Sequence, residues 1–138
     1  MSSPIVASGP YSPIVRAGPW LICSGQLGMH KPPPARSESG IMVDSSPVLV
    51  EGGPPAQLTQ ALANAEQLLR DNGATPADVV KTTVFVTDPH QFPAVNDAYV
   101  AFFGTHRPAR SMVAVAALPA GAAVEVELWA YLPPAPGE

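Results

Sequence analysis

The sequence predicts an α+β domain in which one mixed β-sheet carries two helices packed on a single face. Two stretches, 58–69 and 92–103, place apolar side chains at helical spacing, while the segments around them alternate or run as short β-branched stretches. The resulting order is β-β-(loop)-α-β-α-β-β. Strand–helix–strand crossovers of one hand, taken in one direction, put both helices on the same side of the sheet. The other face then has no helix to cover it, and with few charges in the strands it is expected to meet another copy of the chain.

Each element has its own signature. Pro13-Ile14-Val15-Arg16-Ala17 and Trp20-Leu21-Ile22-Cys23-Ser24 read as two strands joined by a tight turn at Gly18-Pro19. Residues 27–52 form a long connection, with an irregular strand expected at Ile41-Met42-Val43 or Val48-Leu49-Val50. From Pro55, the series Leu58, Ala61, Leu62, Ala65, Leu68, Leu69 reads as a helix stopped by Asn72-Gly73. Val79 to Thr87, β-branched with lone Lys81, reads as a mostly buried strand. Asp88-Pro89 resembles an N-cap followed by proline in the first turn of a second helix. That helix has the stripe Phe92, Val95, Tyr99, Phe102, Phe103 and ends at Gly104. Strands at 111–118 and 123–132 close the chain, with Pro119-Ala120-Gly121 turning between them.

Composition bounds the function. A chain of 138 residues fits one domain, 1–138, with 133–138 expected to be a flexible tail. Hydrophobic residues make up 46% and charged residues 13%, with a net charge of −4. That balance offers no clustered basic surface for nucleic acid. No apolar run approaches the ~18 residues of a bilayer span. The start, Met1-Ser2-Ser3-Pro4-Ile5-Val6, lacks the basic and apolar regions of a signal peptide, so cytoplasmic residence is expected. A single cysteine, Cys23, excludes an intramolecular disulfide and suits a reducing compartment.

Candidate chemistry is sparse. His30, His90 and His106 fall in separate regions without metal-ligand spacing, so no metal is expected. Cys23, beside Leu21 and Ile22, reads as a small buried hydrophobe rather than a nucleophile. Arg110 lies just before an apolar strand, where its planar fork of donors suits a carboxylate. Glu125 and Glu127 alternate with Val124, Val126 and Leu128 and so share the opposite face of their strand. Locally, Arg110 also reads as an ordinary exposed arginine, Glu125 as a solvated carboxylate, and Tyr11 and Ser24 as turn residues.

Six segments in order carry more than their parts: Gly9-Pro10-Tyr11-Ser12, Ser24-Gly25-Gln26, Lys81 to Asp88, Val95-Asn96-Asp97-Ala98-Tyr99, Arg107-Pro108-Ala109-Arg110-Ser111 and Val124-Glu125-Val126-Glu127. This series resembles the RidA (YjgF/YER057c/UK114) family along nearly the whole chain. The resemblance implies a chorismate-mutase-like fold and a homotrimer whose sheets form a central barrel, with small-molecule clefts between subunits. It implies hydrolysis of reactive enamines and imines, such as 2-aminoacrylate, to 2-keto acids and ammonia, without a cofactor. By motif match, Arg110 would grip the substrate carboxylate and Glu125 would position or activate water. Tyr11, Ser24 and Asn96 would line the pocket, together with Met112.

Two departures bear on the substrate. Met112 stands where deaminating members commonly have cysteine, and the stretch 29–53 is longer and proline-rich. The other readings are a non-catalytic binder of 2-keto acids using the same pocket, and the endoribonuclease label that some relatives carry. The acidic balance disfavours the latter.

Overall fold

The structure, a computed structural model, describes residues 9–43 and 46–135. The expectations about the first six residues and about 136–138 of the tail lie outside them; residues 132–135 have no regular structure. The elements follow the predicted order. Strands β1 (Ile14–Ala17) and β2 (Trp20–Leu27) form a hairpin whose turn places Gly18 at φ 60°. This is the backbone geometry that a two-residue connection demands and that glycine supplies without strain.

The connection that follows is more ordered than expected. It folds into two small ladders: β3 (Met29–His30) pairs with β6 (Val48–Leu49), and β4 (Ala35–Arg36) pairs with β5 (Met42–Val43). Both alternatives for an irregular strand are therefore occupied. Asn64 of the first helix ties the base of this excursion down, its amide donating to the Leu27 and Met29 carbonyls.

Helix α1 (Gly53–Asp71) starts two residues before the expected Pro55, because Gly52, at φ 113°, turns the chain and Pro54 falls in the first turn. It stops at Asn72, whose amide donates to the Leu68 carbonyl. β7 (Val79–Val86) leads to Asp88, whose carboxylate accepts from the His90 N–H. That cap serves a short 3-10 turn, Pro89–Gln91, which then runs into α2 (Phe92–Phe103). β8 spans Ala109–Ala114, so Arg110 lies inside the strand rather than before it. The register explains this: parallel pairing with β7 begins at Lys81–Ala109 and carries Thr82–Arg110 with it. β9 (Val124–Tyr131) follows a turn at Pro119–Gly121.

The five-stranded sheet has the order β1-β2-β9-β7-β8 and is antiparallel except for the β7–β8 pair. The last two strands in sequence are thus not neighbours, because β9 inserts between β2 and β7. Both crossovers, β2-α1-β7 and β7-α2-β8, run toward the β8 edge, and the helices share one face. Leu21 and Cys23 of β2, Val84 and Val86 of β7, and Val124, Val126 and Leu128 of β9 form one buried cluster with α1 and α2. The helices contribute Leu58, Leu62, Leu69, Val95 and Phe103. Each such side chain fully removed from water contributes about 1.5–3 kcal/mol.

The opposite face carries no helix. There Trp20, Trp129 and Tyr131 stay about two-fifths exposed and meet edge-to-face, with Trp20 5.9 Å from Trp129 and 5.1 Å from Tyr131. Among the described residues, no helix is long and apolar enough to cross a membrane.

Candidate functional site

Arg110 projects from the sheet edge toward α2. Its Nη1 donates to Asn96 Oδ1 at 2.9 Å, and its guanidinium carbon lies 4.7 Å from the centre of the Tyr99 ring. Asn96 and Tyr99 are three residues apart on α2, so both present to the same side. The Tyr99 hydroxyl is in turn hydrogen-bonded to Thr82 Oγ1 at 2.8 Å, and Thr82 is the register partner of Arg110 across β7–β8. Thr82 is fully buried and Tyr99 nearly so, whereas Arg110 is exposed. Met112, two residues on, points to the same face and packs partly buried against the core.

Glu125 lies on the other side of the sheet. Alternation along β9 buries Val124 and Val126 under the helices and leaves Glu125 and Glu127 half-buried on the helix-free face. The Glu125 carboxylate sits over Gly25: a Cβ there would come within 2.6 Å of Oε1. The clearance comes from an irregularity in β2, where pairing with β9 shifts between Cys23 and Gln26. Ser24, in the same irregularity, donates from Oγ to the Ser12 carbonyl at 2.6 Å, and its N–H donates to the Pro13 carbonyl. Tyr11, adjacent to Ser12, is more than half exposed.

Burial pushes the Glu125 carboxyl above its usual range, and the charge of Glu127 adds to the rise. Such a group is a better proton acceptor than an ordinary glutamate. Burial likewise pushes the Cys23 thiol up to about 12, which removes it as a nucleophile. Among the described residues, no group of three His, Cys, Asp or Glu side chains is placed to hold a metal ion. His106 instead bonds the Val79 carbonyl through Nε2 at 2.7 Å, and His90 stays beside Asp88.

The six candidate residues therefore fall into two groups. Arg110, Asn96 and Met112 gather on the helix side at the β8 edge. Glu125 lies on the helix-free face of β9, and Ser24 on β2 and Tyr11 just before β1 lie toward the β1–β2 end of the sheet. The structure does not bring the two groups together within one chain. Two contributors escaped the sequence reading. Tyr99 looked like one more apolar position in a helical stripe, although a hydroxyl in that stripe, three residues after Asn96, was a usable signal. The need for glycine at position 25 is set by β9, which no local pattern reveals.

A mixed sheet backed by two helices, with an arginine fork on one face and a raised carboxylate on the other, defines a small α+β protein whose candidate polar groups are divided between two faces. The chain belongs to the family described as Endoribonuclease L-PSP, whose model matches residues 1–132. It is 40% identical over 121 residues to 2-iminobutanoate/2-iminopropanoate deaminase of Capra hircus, covering 88% of this chain and 79% of that protein. Its fold is similar to the crystal structure of RidA from the Antarctic bacterium Psychrobacter sp. PAMC 21119, with TM-score 0.77, 35% identity and 92% of each chain covered. The structure of the YjgF gene product from E. coli is similar too, with TM-score 0.75, 36% identity and 91% of each chain covered.

Proposed function

We propose that this protein is an imine deaminase acting on small 2-imino acids, assembled as a cytoplasmic homotrimer with its sheets inward and its active clefts between subunits. The observation that carries the reading is the fixed Arg110 fork. One of its N–H groups is committed to Asn96, and among the described residues no other acceptor takes the rest, which suits them to a carboxylate. The relative from Capra hircus is named for hydrolysis of two imines that carry such a carboxylate.

The chemistry needs little more. An imine carbon is already electrophilic, so water adds to it as the nitrogen takes a proton, and the resulting carbinolamine expels ammonia to leave the 2-keto acid. An enamine first tautomerises to the imine. The enzyme must hold the carboxylate, place one water and move protons. Arg110 binds the carboxylate; Glu125 accepts a proton from the attacking water and returns it to the departing nitrogen. Asn96 steadies Arg110, Met112 borders the substrate side chain, and Tyr11 and Ser24 line the Glu125 side.

Arg110 and Glu125 lie on opposite faces of one sheet, so a cleft containing both takes Arg110 from one subunit and Glu125 from its neighbour. The exposed Trp20–Trp129–Tyr131 surface supports burial of the helix-free face in that assembly. A lone cysteine kept as a buried thiol is in keeping with a reducing compartment. An endoribonuclease activity finds no support in a chain of seven basic and eleven acidic residues.

The test uses imines generated in situ by an amino-acid oxidase. The protein should speed ammonia and keto-acid release, and its mass in solution should be close to three times 14.3 kDa. Mixing Arg110→Ala with Glu125→Gln subunits should then restore activity in about one quarter of the clefts, since random three-fold assembly leaves that share intact. No acceleration by the wild type, or no recovery on mixing, overturns the corresponding half of the proposal.

A further inference from the structure

We infer that Tyr99 is a positioning residue: its ring, anchored through Thr82, is the platform that holds the Arg110 guanidinium ready for the substrate carboxylate. The inference rests on the reading of Arg110 as the carboxylate-binding group. An exposed arginine has many rotamers, and binding must select one of them; a preformed platform pays that ordering cost in advance.

Three contacts form a closed circuit here. Arg110 lies over the Tyr99 ring at 4.7 Å, the Tyr99 hydroxyl bonds buried Thr82 at 2.8 Å, and Thr82 faces Arg110 in the β7–β8 register. Phe103 packs against the Tyr99 ring, with centroids 4.8 Å apart and planes tilted by 48°. The ring is thus held by its own packing and by a hydrogen bond to the strand next to the one that carries the arginine. Asn96 fixes one edge of the guanidinium and the Tyr99 ring lies beneath its central carbon, and the donors that no described residue takes suit bidentate capture. A phenylalanine would offer the same face without the anchor, and an aliphatic residue would offer neither.

The experiment compares Tyr99→Leu, Tyr99→Phe and Arg110→Ala with the wild type. Affinity for 2-oxobutanoate, the product expected from 2-iminobutanoate, is read by calorimetry, and imine turnover is read at saturating substrate. Tyr99→Leu should weaken 2-oxobutanoate binding about 3- to 30-fold, the span of a cation–π contact from exposed to desolvated. Saturated turnover should hold, and Tyr99→Phe should restore most of the affinity. If Tyr99→Leu does not fold, the double variant Tyr99→Phe/Thr82→Val keeps the packing and removes the anchor. It should weaken binding about 2- to 5-fold with turnover again preserved.

Affinity unchanged in these variants, or affinity and turnover falling together as for a general loss of structure, overturns the inference. If Arg110→Ala costs affinity and Tyr99→Leu does not, the inference alone falls. If Arg110→Ala leaves affinity intact, the carboxylate assignment fails and the platform fails with it.

Discussion

Around Arg110, α2 and the β7–β8 pair supply an acceptor at 2.9 Å, an aromatic face and a buried hydroxyl beneath it. Around Glu125, β2 supplies chiefly clearance: a glycine where a side chain would displace the carboxylate, and no hydrogen bond to it from the described residues. One half is built to hold a charge still. The other leaves a carboxylate half-buried, raised and free to exchange protons. The difference matches the two tasks proposed for these residues, since a group that grips must be preorganised, whereas a group that shuttles a proton must not be locked into one charge state.

Glu125→Gln should break the asymmetry most visibly. It keeps the shape and removes the base, so turnover should drop on the order of 10²–10⁴-fold in a steady-state assay. Affinity for a 2-keto acid, read by calorimetry, should stay similar or tighten, because a charge of the same sign as the ligand is gone. A wild-type protein that binds keto acids through Arg110 yet turns nothing over would instead mark a sensor, and Met112→Cys would then be the change to examine.

Arg110→Lys comes next. A lysine retains the charge but loses the planar fork, and the lost charged hydrogen bond should cost about 1.5–3 kcal/mol, or roughly 10- to 150-fold in affinity. Affinity for 2-oxobutanoate near that of the wild type would show that a point charge suffices.

The smallest effect sharpens the comparison through pH. Burial and Glu127 push Glu125 upward, so turnover should fall with decreasing pH at a midpoint above the ordinary carboxylate range. In the cleft proposed between subunits, the neighbouring Arg110 cation would favour the ionised form and oppose that rise. Arg110→Ala should therefore move the acid limb of its residual pH–rate profile to higher pH than in the wild type. A limb that stays put would mean that the two half-sites do not face each other.

The order of elements was legible because it depends on local periodicity: Leu58 to Leu69 can satisfy an apolar face only as a helix, and Val124 to Leu128 only as a strand. Glu125 and Glu127 fell on the predicted face for the same reason. The start of β8 was misjudged because Ala109 and Arg110 have no strand pattern of their own; pairing with Lys81 and Thr82 draws them in. The insertion of β9 between β2 and β7 was equally invisible, since it is chosen by the packing of two crossovers and not by either strand alone. The division of the candidate residues over two faces follows from alternation along β8 and β9, and a list of motif residues in sequence order conceals it.

Cys23 stands apart from both halves, in the core beneath the helices, with its thiol held protonated to about pH 12. The imine of the proposed reaction is an electrophile, and the soft sulfur of a thiolate is a side chain that would add to it readily. With its single sulfhydryl buried and uncharged, and a thioether at position 112, the chain offers such a reactant no exposed thiolate. Repeated exposure to an imine should therefore leave the Cys23 thiol unmodified, which intact-protein mass spectrometry would read directly.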